Sequence, residues 1–178
     1  AALAEGTSTI LYPARSDDSD AMRRCIRDLG AALEEDGERM TIAGFGRRPK
    51  PVKQLNVGNA GAVLRFLMGI ASFLPEVTFV NAYPKSLGQR PQDDLIDALE
   101  QLGVRVEHNG GKLPITIRGG NPRGGNIRVS CAISSQFLSA LLFLTPLLDE
   151  DSEIEVLNDL KSKVVVRQTL DVLRQAGI

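Results

Sequence analysis

The sequence predicts an α/β fold in which one helix-and-sheet unit repeats about every 73 residues. Segment 20–42 resembles segment 93–117, because in both of them apolar residues at i, i+3, i+4 and i+7 mark one face of a helix. A glycine follows each helix, and then come a short strand and a dipeptide typical of a hairpin turn, Asp36-Gly37 or Asn109-Gly110. Helix face, cap and turn agree at one spacing, so we interpret the similarity as a true repeat.

The glycines after the two helices, Gly30 and Gly103, are predicted to be C-terminal helix caps. A third copy begins at 167–178, where Gly177 follows Gly103 by 74 residues. The two apolar helix faces are Met22, Cys25, Ile26 and Leu29 in the first copy, and Leu95, Ala98, Leu99 and Leu102 in the second.

The other half of the unit also repeats, since segment 64–80 parallels segment 138–156. Residues 1–11 match the tail of the same pattern, which predicts that the sequence starts inside an apolar helix. We therefore predict one domain over 1–178 with repeat units near 1–44, 45–118 and 119–178. The first and third units are expected to be truncated, so the chain is expected to be part of a longer protein.

Composition narrows the functional classes. The chain has 178 residues, of which 43% are hydrophobic and 24% charged, and a formal net charge of −1. Proteins that bind nucleic acids or membrane surfaces usually carry an excess of basic residues, so the balanced charge argues against both functions. No apolar stretch is long enough to span a bilayer and no signal peptide is visible, so a cytoplasmic location is predicted. Cys25 and Cys131 are expected to pack as small hydrophobes, and a single histidine predicts no metal site.

Two small-residue loops occupy equivalent positions in the repeat. The GNAG loop at 58–61 and the AISS loop at 132–135 are related by a shift of 74 residues. They precede apolar helices predicted at 62–71 and 136–148. The free N–H groups and the dipole of a helix N-terminus attract anions, and small residues allow an anion to come close.

The side chains of the second loop add to this site. Ser134 and Ser135 offer hydroxyl groups, and Gln136 offers an amide. The alternative is structural: Ser134 or Ser135 is an N-cap, and the glycines of the first loop only make a turn.

Cations stand at equivalent helix starts. Arg90 precedes Pro91, which is predicted at the first helical position, and a cation there is unfavourable unless an anion lies between. Its alternative role is an ion pair with Asp93 or Asp94. Arg65 lies one turn into an apolar helix, so its guanidinium must find a carboxylate, carbonyl groups or a ligand.

Lys161, Ser162 and Lys163 precede a further helix predicted to begin near Val165. Their alternative role is a solvated run of charge. Taken with the loops, they predict several helix N-termini around one cleft, which suits a small ligand with several negative charges, such as a phosphorylated metabolite.

Four motifs together resemble the 5-enolpyruvylshikimate-3-phosphate synthase family: LNVGNAGAVLRFLMG at 55–69, QRP at 89–91, ISSQFLSALL at 133–142 and LKSK at 160–163. The resemblance covers essentially the whole chain as the N-terminal lobe of a two-lobed enzyme. It implies an inside-out α/β barrel-like domain of three βαβαββ units, with a C-terminal lobe as partner and no metal or organic cofactor.

The resemblance also implies a reaction and its site residues. The family moves the enolpyruvyl group of phosphoenolpyruvate to the 5-hydroxyl of shikimate 3-phosphate. Its catalytic acid and base residues lie in the second lobe, so no catalytic residue is assigned here and the chain alone is expected to be inactive. The implied shikimate 3-phosphate ligands are Ser134, Ser135, Gln136 and Ser162; the implied phosphoenolpyruvate ligands are Gly61, Arg90 and Gln136; and the implied supporting residues are Asn59, Arg65 and Lys163.

Some residues depart from the family pattern. Ala62 replaces a common threonine, Phe66 replaces a proline found in one class, and Val165 replaces a tyrosine found in some members. The first two positions influence sensitivity to glyphosate, so that property stays open. One alternative is the related UDP-N-acetylglucosamine enolpyruvyl transferase family, but no cysteine lies between Phe79 and Arg90, where that family has a reactive one. Another is a non-catalytic repeat domain that binds a partner through its loops.

Overall fold

The computed structural model describes residues 1–160 and 162–178, so Lys161 lies outside the described residues. Strands and helices alternate along most of the chain. The elements are β1 (Thr7–Leu11), α1 (Asp17–Asp28), β2 (Ala32–Asp36), β3 (Arg39–Ala43), β4 (Gln54–Asn56), α2 (Gly61–Ala71), β5 (Val77–Val80), α3 (Asp93–Gln101), β6 (Arg105–Asn109), β7 (Lys112–Arg118), β8 (Gly125–Val129), α4 (Gln136–Leu144), β9 (Ser152–Val156) and α5 (Lys163–Gln175).

The strands form three sheets with related connections. The first has the order β1-β3-β2, the second β4-β5-β7-β6, and the third pairs β8 with β9. The antiparallel order of the first sheet recurs as β5-β7-β6 in the second, and the parallel pair β4-β5 recurs as β8-β9. This mixed architecture confirms the predicted α/β class, while the unit boundaries near 44 and 118 stay a prediction.

The predicted hairpins and caps are confirmed. Asp36 pairs with Arg39 across one tight turn, and Asn109 pairs with Lys112 across the other. The residue after the C-cap has a φ of +105° at Gly30 after α1, and of +82° at Gly103 after α3. Glycine adopts these angles without steric penalty, which explains why a glycine ends each helix.

Helix bounds differ from the prediction at three places, one of which is the helix predicted to begin near Val165, which begins at Lys163. The helix predicted over 136–148 ends at Leu144 and continues as a short 3-10 segment, Thr145–Leu147, because Pro146 has no N–H to donate. Pro91 is predicted at the first helical position, but α3 begins at Asp93. Pro91 precedes the N-cap, Gln92, whose backbone N–H donates to the carbonyl of Gly111 rather than pointing to solvent.

The prediction that the sequence starts inside an apolar helix is wrong. The chain forms turns and bends there, and the carbonyl of Ala2 accepts a hydrogen bond from the N–H of Phe45 at 2.9 Å. This pairing with the segment after β3 replaces a helical hydrogen bond. Within the described part of the chain, no helix has both the length and the apolar character needed to cross a membrane.

The core positions α2 beside α4. One cluster of buried apolar side chains draws residues from Ala21 to Val166, and it includes the free cysteines Cys25 and Cys131 as predicted. Gly69 of α2 lies against the backbone of Ala140 in α4, where an added Cβ would be 2.9 Å from the carbonyl oxygen. Arg65, one turn earlier, contacts Gln136, one turn earlier in α4. The two helices therefore run parallel, and their N-termini lie at the same end.

Candidate anion-binding site

Arg65 connects the N-terminal ends of three helices. The residue is only 8% exposed. Its Nε–H donates to Oε1 of Gln92 at 2.9 Å, and its Nη1 donates to Oγ of Ser134 at 3.2 Å and to Oε1 of Gln136 at 2.7 Å. The guanidinium also lies over the ring of Phe137, 5.1 Å from the centroid. These contacts fix the guanidinium in place from α2, α3 and α4.

All three hydrogen-bond acceptors of Arg65 are neutral. No Asp or Glu oxygen among residues 1–160 and 162–178 lies within ion-pair distance of Arg65, and its Nη2 makes no hydrogen bond with them. Burial lowers the pKa of Arg65, and the nearby charge of Arg90 lowers it further. A buried cation without a counter-ion is costly to the fold, so the geometry favours an anion from outside the chain.

Gly61 separates the two arginines at the start of α2. A Cβ built on Gly61 would lie 3.5 Å from Nη1 of Arg65 and 3.6 Å from Nη1 of Arg90. Both guanidinium groups therefore flank the same small backbone position. Arg90 is exposed and pairs with neither Asp93 nor Asp94, the ion pair that its alternative role required.

The two loops leave their helix N-termini without a conventional cap. Ala60 is the N-cap of α2 and Ser135 is the N-cap of α4, and neither contributes a side-chain capping hydrogen bond. The hydroxyl of Ser134 accepts a hydrogen bond from the N–H of Gln136 at 3.2 Å. Gly58 does make a turn, with a φ of +61°, so the structural interpretation of that residue also holds. The first N–H groups of α2 stay available beside Gly61.

Asn59 links the first loop to the segment that carries Arg90. Its Oδ1 accepts a hydrogen bond from the N–H of Leu87 at 3.2 Å. Leu87 begins a short 3-10 turn, Leu87–Gln89, that leads directly to Arg90. The predicted supporting residue therefore ties the two sides of the site together.

The remaining predicted residues do not join this hydrogen-bonded cluster. Ser135 is 9% exposed, and no hydrogen bond of its hydroxyl is found within the described residues. Ser162 is the exposed N-cap of α5 and has a left-handed φ of +57°, and Lys163 is the first residue of that helix. The hydroxyls of Ser139 and Thr169, 3.0 Å apart, join α5 to α4 farther along both helices.

Gln92 is the site residue that the sequence analysis missed. It is 0% exposed, its Oε1 accepts from Arg65, and its Nε2 donates to the carbonyl of Arg90 at 2.8 Å. A signal was present, because Gln92 lies three residues before Leu95 and seven before Leu99, on the apolar face of α3. A polar side chain on such a face needs buried partners.

The chemistry of the cluster is that of an anion receptor. Guanidinium groups, hydroxyls, amides and backbone N–H groups all donate hydrogen bonds, and arginine binds carboxylate and phosphate oxygens through paired N–H groups. No group of three or more His, Cys, Asp or Glu side chains that could hold a metal is found in the described part of the chain.

Comparison with known proteins identifies the family of the chain. The family model for EPSP synthase (3-phosphoshikimate 1-carboxyvinyltransferase) matches residues 1–178. The 3-phosphoshikimate 1-carboxyvinyltransferase of Deinococcus radiodurans is 51% identical over 178 residues, which are 100% of this chain and 40% of that protein. The Burkholderia pseudomallei protein of the same name is 38% identical, again over 100% of this chain and 40% of the relative.

A solved structure shows the same fold. The EPSP synthase of Acinetobacter baumannii superposes with a TM-score of 0.77 at 25% identity, over 90% of this chain and 37% of that one. The chain thus spans about 40% of the length of the curated relatives named above. Because the family model matches the chain from end to end, the chain belongs to the EPSP synthase family.

Proposed function

We propose that this chain is the N-terminal, substrate-binding lobe of an enzyme that transfers the enolpyruvyl group of phosphoenolpyruvate to shikimate 3-phosphate. The observation that carries the proposal is the arginine pair, Arg65 and Arg90, which flanks Gly61 without a carboxylate partner in the described residues. Both proposed substrates carry a carboxylate and a phosphate. The relatives' names support the same activity.

Phosphoenolpyruvate is proposed to bind beside Gly61. The missing side chain leaves room for a carboxylate or phosphate to approach the first N–H groups of α2. Arg90 contributes an exposed guanidinium, and Arg65 contributes Nη2, which has no acceptor in the described chain. The hydrogen bonds of Arg65 fix its guanidinium before the ligand arrives, which favours electrostatic stabilisation of charge that builds up during the reaction.

Shikimate 3-phosphate is proposed to bind on the α4 side. Ser134 and Gln136 already lie at the N-terminus of α4, in contact with Arg65. Ser135 and Ser162 are proposed to add hydroxyl donors, and Lys163 to support them. With both substrates held in one cluster, the lobe would orient the 5-hydroxyl toward the enolpyruvyl carbon.

Proton transfer is assigned to a second lobe. The reaction removes a proton from the 5-hydroxyl and adds one to the enol carbon, which requires an acid and a base. The hydrogen-bonded cluster around Arg65 contains amides, a hydroxyl and guanidinium groups, none of which is suited to that role at neutral pH. A C-terminal lobe as partner and a cytoplasmic location are parts of the same proposal.

A nuclear magnetic resonance titration tests the proposal. Adding shikimate 3-phosphate to the 178-residue chain should shift the amide signals of 134–136 and 162, and phosphoenolpyruvate should shift those of Gly61 and Arg90. Ser134→Ala should weaken the first response. Ser130→Ala should not, because the hydroxyl of Ser130 accepts a local hydrogen bond from Ala132 N–H instead.

Two results would contradict the proposal. Unmoved amides at millimolar ligand would favour the non-catalytic binding domain. A response to UDP-N-acetylglucosamine, with none to shikimate 3-phosphate, would favour the related enolpyruvyl transferase.

A further inference from the structure

We infer that Gln92 is a positioning residue that orients Arg65 while leaving its positive charge free for the anion. This role deepens the proposed function and rests on it. Gln92 is fully buried and its side chain bonds to Arg65 and Arg90, so it acts through the two arginines of the site. Its chemical feature is that it is a neutral hydrogen-bond acceptor at a fully buried position.

The side-chain amide of Gln92 uses both of its ends. Oε1 accepts from Nε of Arg65 at 2.9 Å, and Nε2 donates to the carbonyl oxygen of Arg90 at 2.8 Å. One side chain therefore holds the guanidinium of Arg65 and the backbone of Arg90. Since those two arginines flank Gly61, the amide links the guanidinium of one arginine to the backbone of the other beside the proposed ligand position.

The backbone of Gln92 is also anchored. Its N–H donates to the carbonyl of Gly111, in the turn between β6 and β7, at 2.9 Å. Its own carbonyl accepts from the N–H groups of Leu95 and Ile96 at 3.0 Å each. The amide is thus held from the hairpin on one side and from α3 on the other, which makes it a rigid support for the arginines.

The neutrality of Gln92 distinguishes a positioning role from simple stabilisation. A glutamate of the same shape would accept the Nε–H of Arg65 more strongly, because charge-assisted hydrogen bonds are the stronger ones. It would also neutralise Arg65 and repel an incoming anion. If the only need at this place were the strongest bond to Arg65, a carboxylate would serve better than an amide, although it would lose the donor that the amide directs to the carbonyl of Arg90.

Gln92→Glu in the 178-residue chain tests the role. We expect the affinity for phosphoenolpyruvate, measured by isothermal titration calorimetry, to fall by at least about tenfold. The urea midpoint of unfolding should stay close to the original, because the ion pair of the new carboxylate with Arg65 offsets the lost hydrogen bond to the carbonyl of Arg90. A residue with a merely structural role would not weaken binding while the stability holds.

Gln101→Glu is a matched control on the same helix. The Nε2 of Gln101 donates to the carbonyl of Arg128 at 2.9 Å, and its Oε1 accepts from the N–H of Arg128 at 2.8 Å. The control therefore adds the same charge and loses the same type of donor. Its affinity for phosphoenolpyruvate should stay within about twofold of the original.

A second measurement needs no ligand. Gln92→Met keeps a similar volume but removes both hydrogen bonds, so the Nε–H signal of Arg65 should exchange with solvent at least about tenfold faster. Gln101→Met should leave that exchange rate unchanged. If the original chain binds no phosphoenolpyruvate, the proposed function fails, and this exchange rate still decides whether Gln92 holds Arg65 in place.

The role of Gln92 would be overturned by either of two results. One is an affinity of Gln92→Glu within about twofold of the original chain. The other is an exchange rate of the Arg65 Nε–H that does not change in Gln92→Met.

Discussion

Two arginines of this chain are equally buried but have opposite surroundings. Arg23 of α1 and Arg65 of α2 are each 8% exposed. Arg23 donates to the carboxylate of Asp20 at 2.6 Å, and its Nε lies 3.4 Å from Glu35. Arg65 donates only to amide and hydroxyl oxygens. Burial is the same in the two places, and the charge balance differs.

The difference indicates which arginine serves the fold and which serves a ligand. Arg23 also donates to the carbonyl of Ala14 at 2.8 Å, so it ties α1 to the preceding loop and, through Glu35, to β2. The surface cleft of about 370 Å³ beside it is lined by both carboxylates and by four arginines, one of which is Arg23 itself. Arg65 instead faces a second cation, Arg90, across Gly61. A buried arginine is a candidate ligand group when its partners are neutral.

The largest expected effect follows from removing Arg65. Arg65→Met should lower the affinity for phosphoenolpyruvate by at least about 100-fold, or roughly 2.7 kcal/mol, because it removes a desolvated positive charge. Titration calorimetry measures the affinity directly. Arg65→Lys should restore only part of it, since an ammonium group cannot reproduce the planar array of donors. If Arg65→Met binds as tightly as the original chain, Arg65 belongs with Arg23 as a structural residue.

The second experiment makes the same substitution at Arg23, the buried arginine that has carboxylate partners. Arg23→Met should lower the free energy of unfolding by about 1 to 2 kcal/mol, because charge-assisted hydrogen bonds are lost but Asp20 and Glu35 can be rehydrated. Urea unfolding measures this loss. The affinity for phosphoenolpyruvate should stay within about twofold. A large loss of affinity with an unchanged unfolding midpoint would reverse the assignment of the two arginines.

A third experiment fills the space between Arg65 and Arg90. In Gly61→Ala the new methyl group makes ordinary contacts with both guanidinium groups at 3.5 and 3.6 Å, so the fold should tolerate it. The methyl occupies the proposed ligand position, and affinity for phosphoenolpyruvate should fall by about tenfold, measured by calorimetry. Unchanged affinity would place the anion elsewhere.

Gly69→Ala is the matched control on the same helix. Its Cβ would lie 2.9 Å from the carbonyl oxygen of Ala140, where α2 packs on α4. That variant should lose about 1 to 3 kcal/mol of unfolding free energy through overpacking, which urea unfolding reports. It should retain affinity for phosphoenolpyruvate as long as it is folded.

A last experiment concerns pH and the α1 side of the comparison. Burial, with a contribution from Asp28, raises the pKa of Cys25 from its ordinary value of 9.0 to about 11. Between these pH values the unfolded thiol loses its proton while the folded thiol keeps it, so the free energy of unfolding falls as pH rises from 9 to 11. Urea unfolding at several pH values should show this decline, and Cys25→Ala should make it shallower. An equally steep decline in that variant would show that Cys25 does not cause it.

Features with local causes were predictable from the sequence. The turn after Asn109 and the cap at Gly103 depend on backbone angles that few residues other than glycine adopt, so the residue types identify them. The strand Val77–Val80 and the apolar helix after the GNAG loop follow from runs of apolar residues between breakers. Small residues beside an unexplained arginine were enough to suggest an anion site.

Features that depend on distant partners were not predictable in the same way. Gln92 accepts a hydrogen bond from Arg65, 27 residues away in the sequence, and the residues around either one give no sign of this contact. The same long-range contacts fix the start of α3 and displace Pro91 from the position that the local rule favours. From the sequence alone, the partner of Arg65 could be a carboxylate, carbonyl groups or a ligand. Only the packing of α2, α3 and α4 shows that the acceptors are neutral.

The most direct test follows the Nε–H signals of Arg23 and Arg65 together while phosphoenolpyruvate is added to the chain. Both residues are buried and both signals can be followed in one NMR spectrum, so each serves as the control for the other. We predict that the Arg65 signal shifts in a saturable manner and that the Arg23 signal stays in place. A shift of Arg23 with an unmoved Arg65 would contradict the central claim that the arginine with neutral partners is the one that binds the anion.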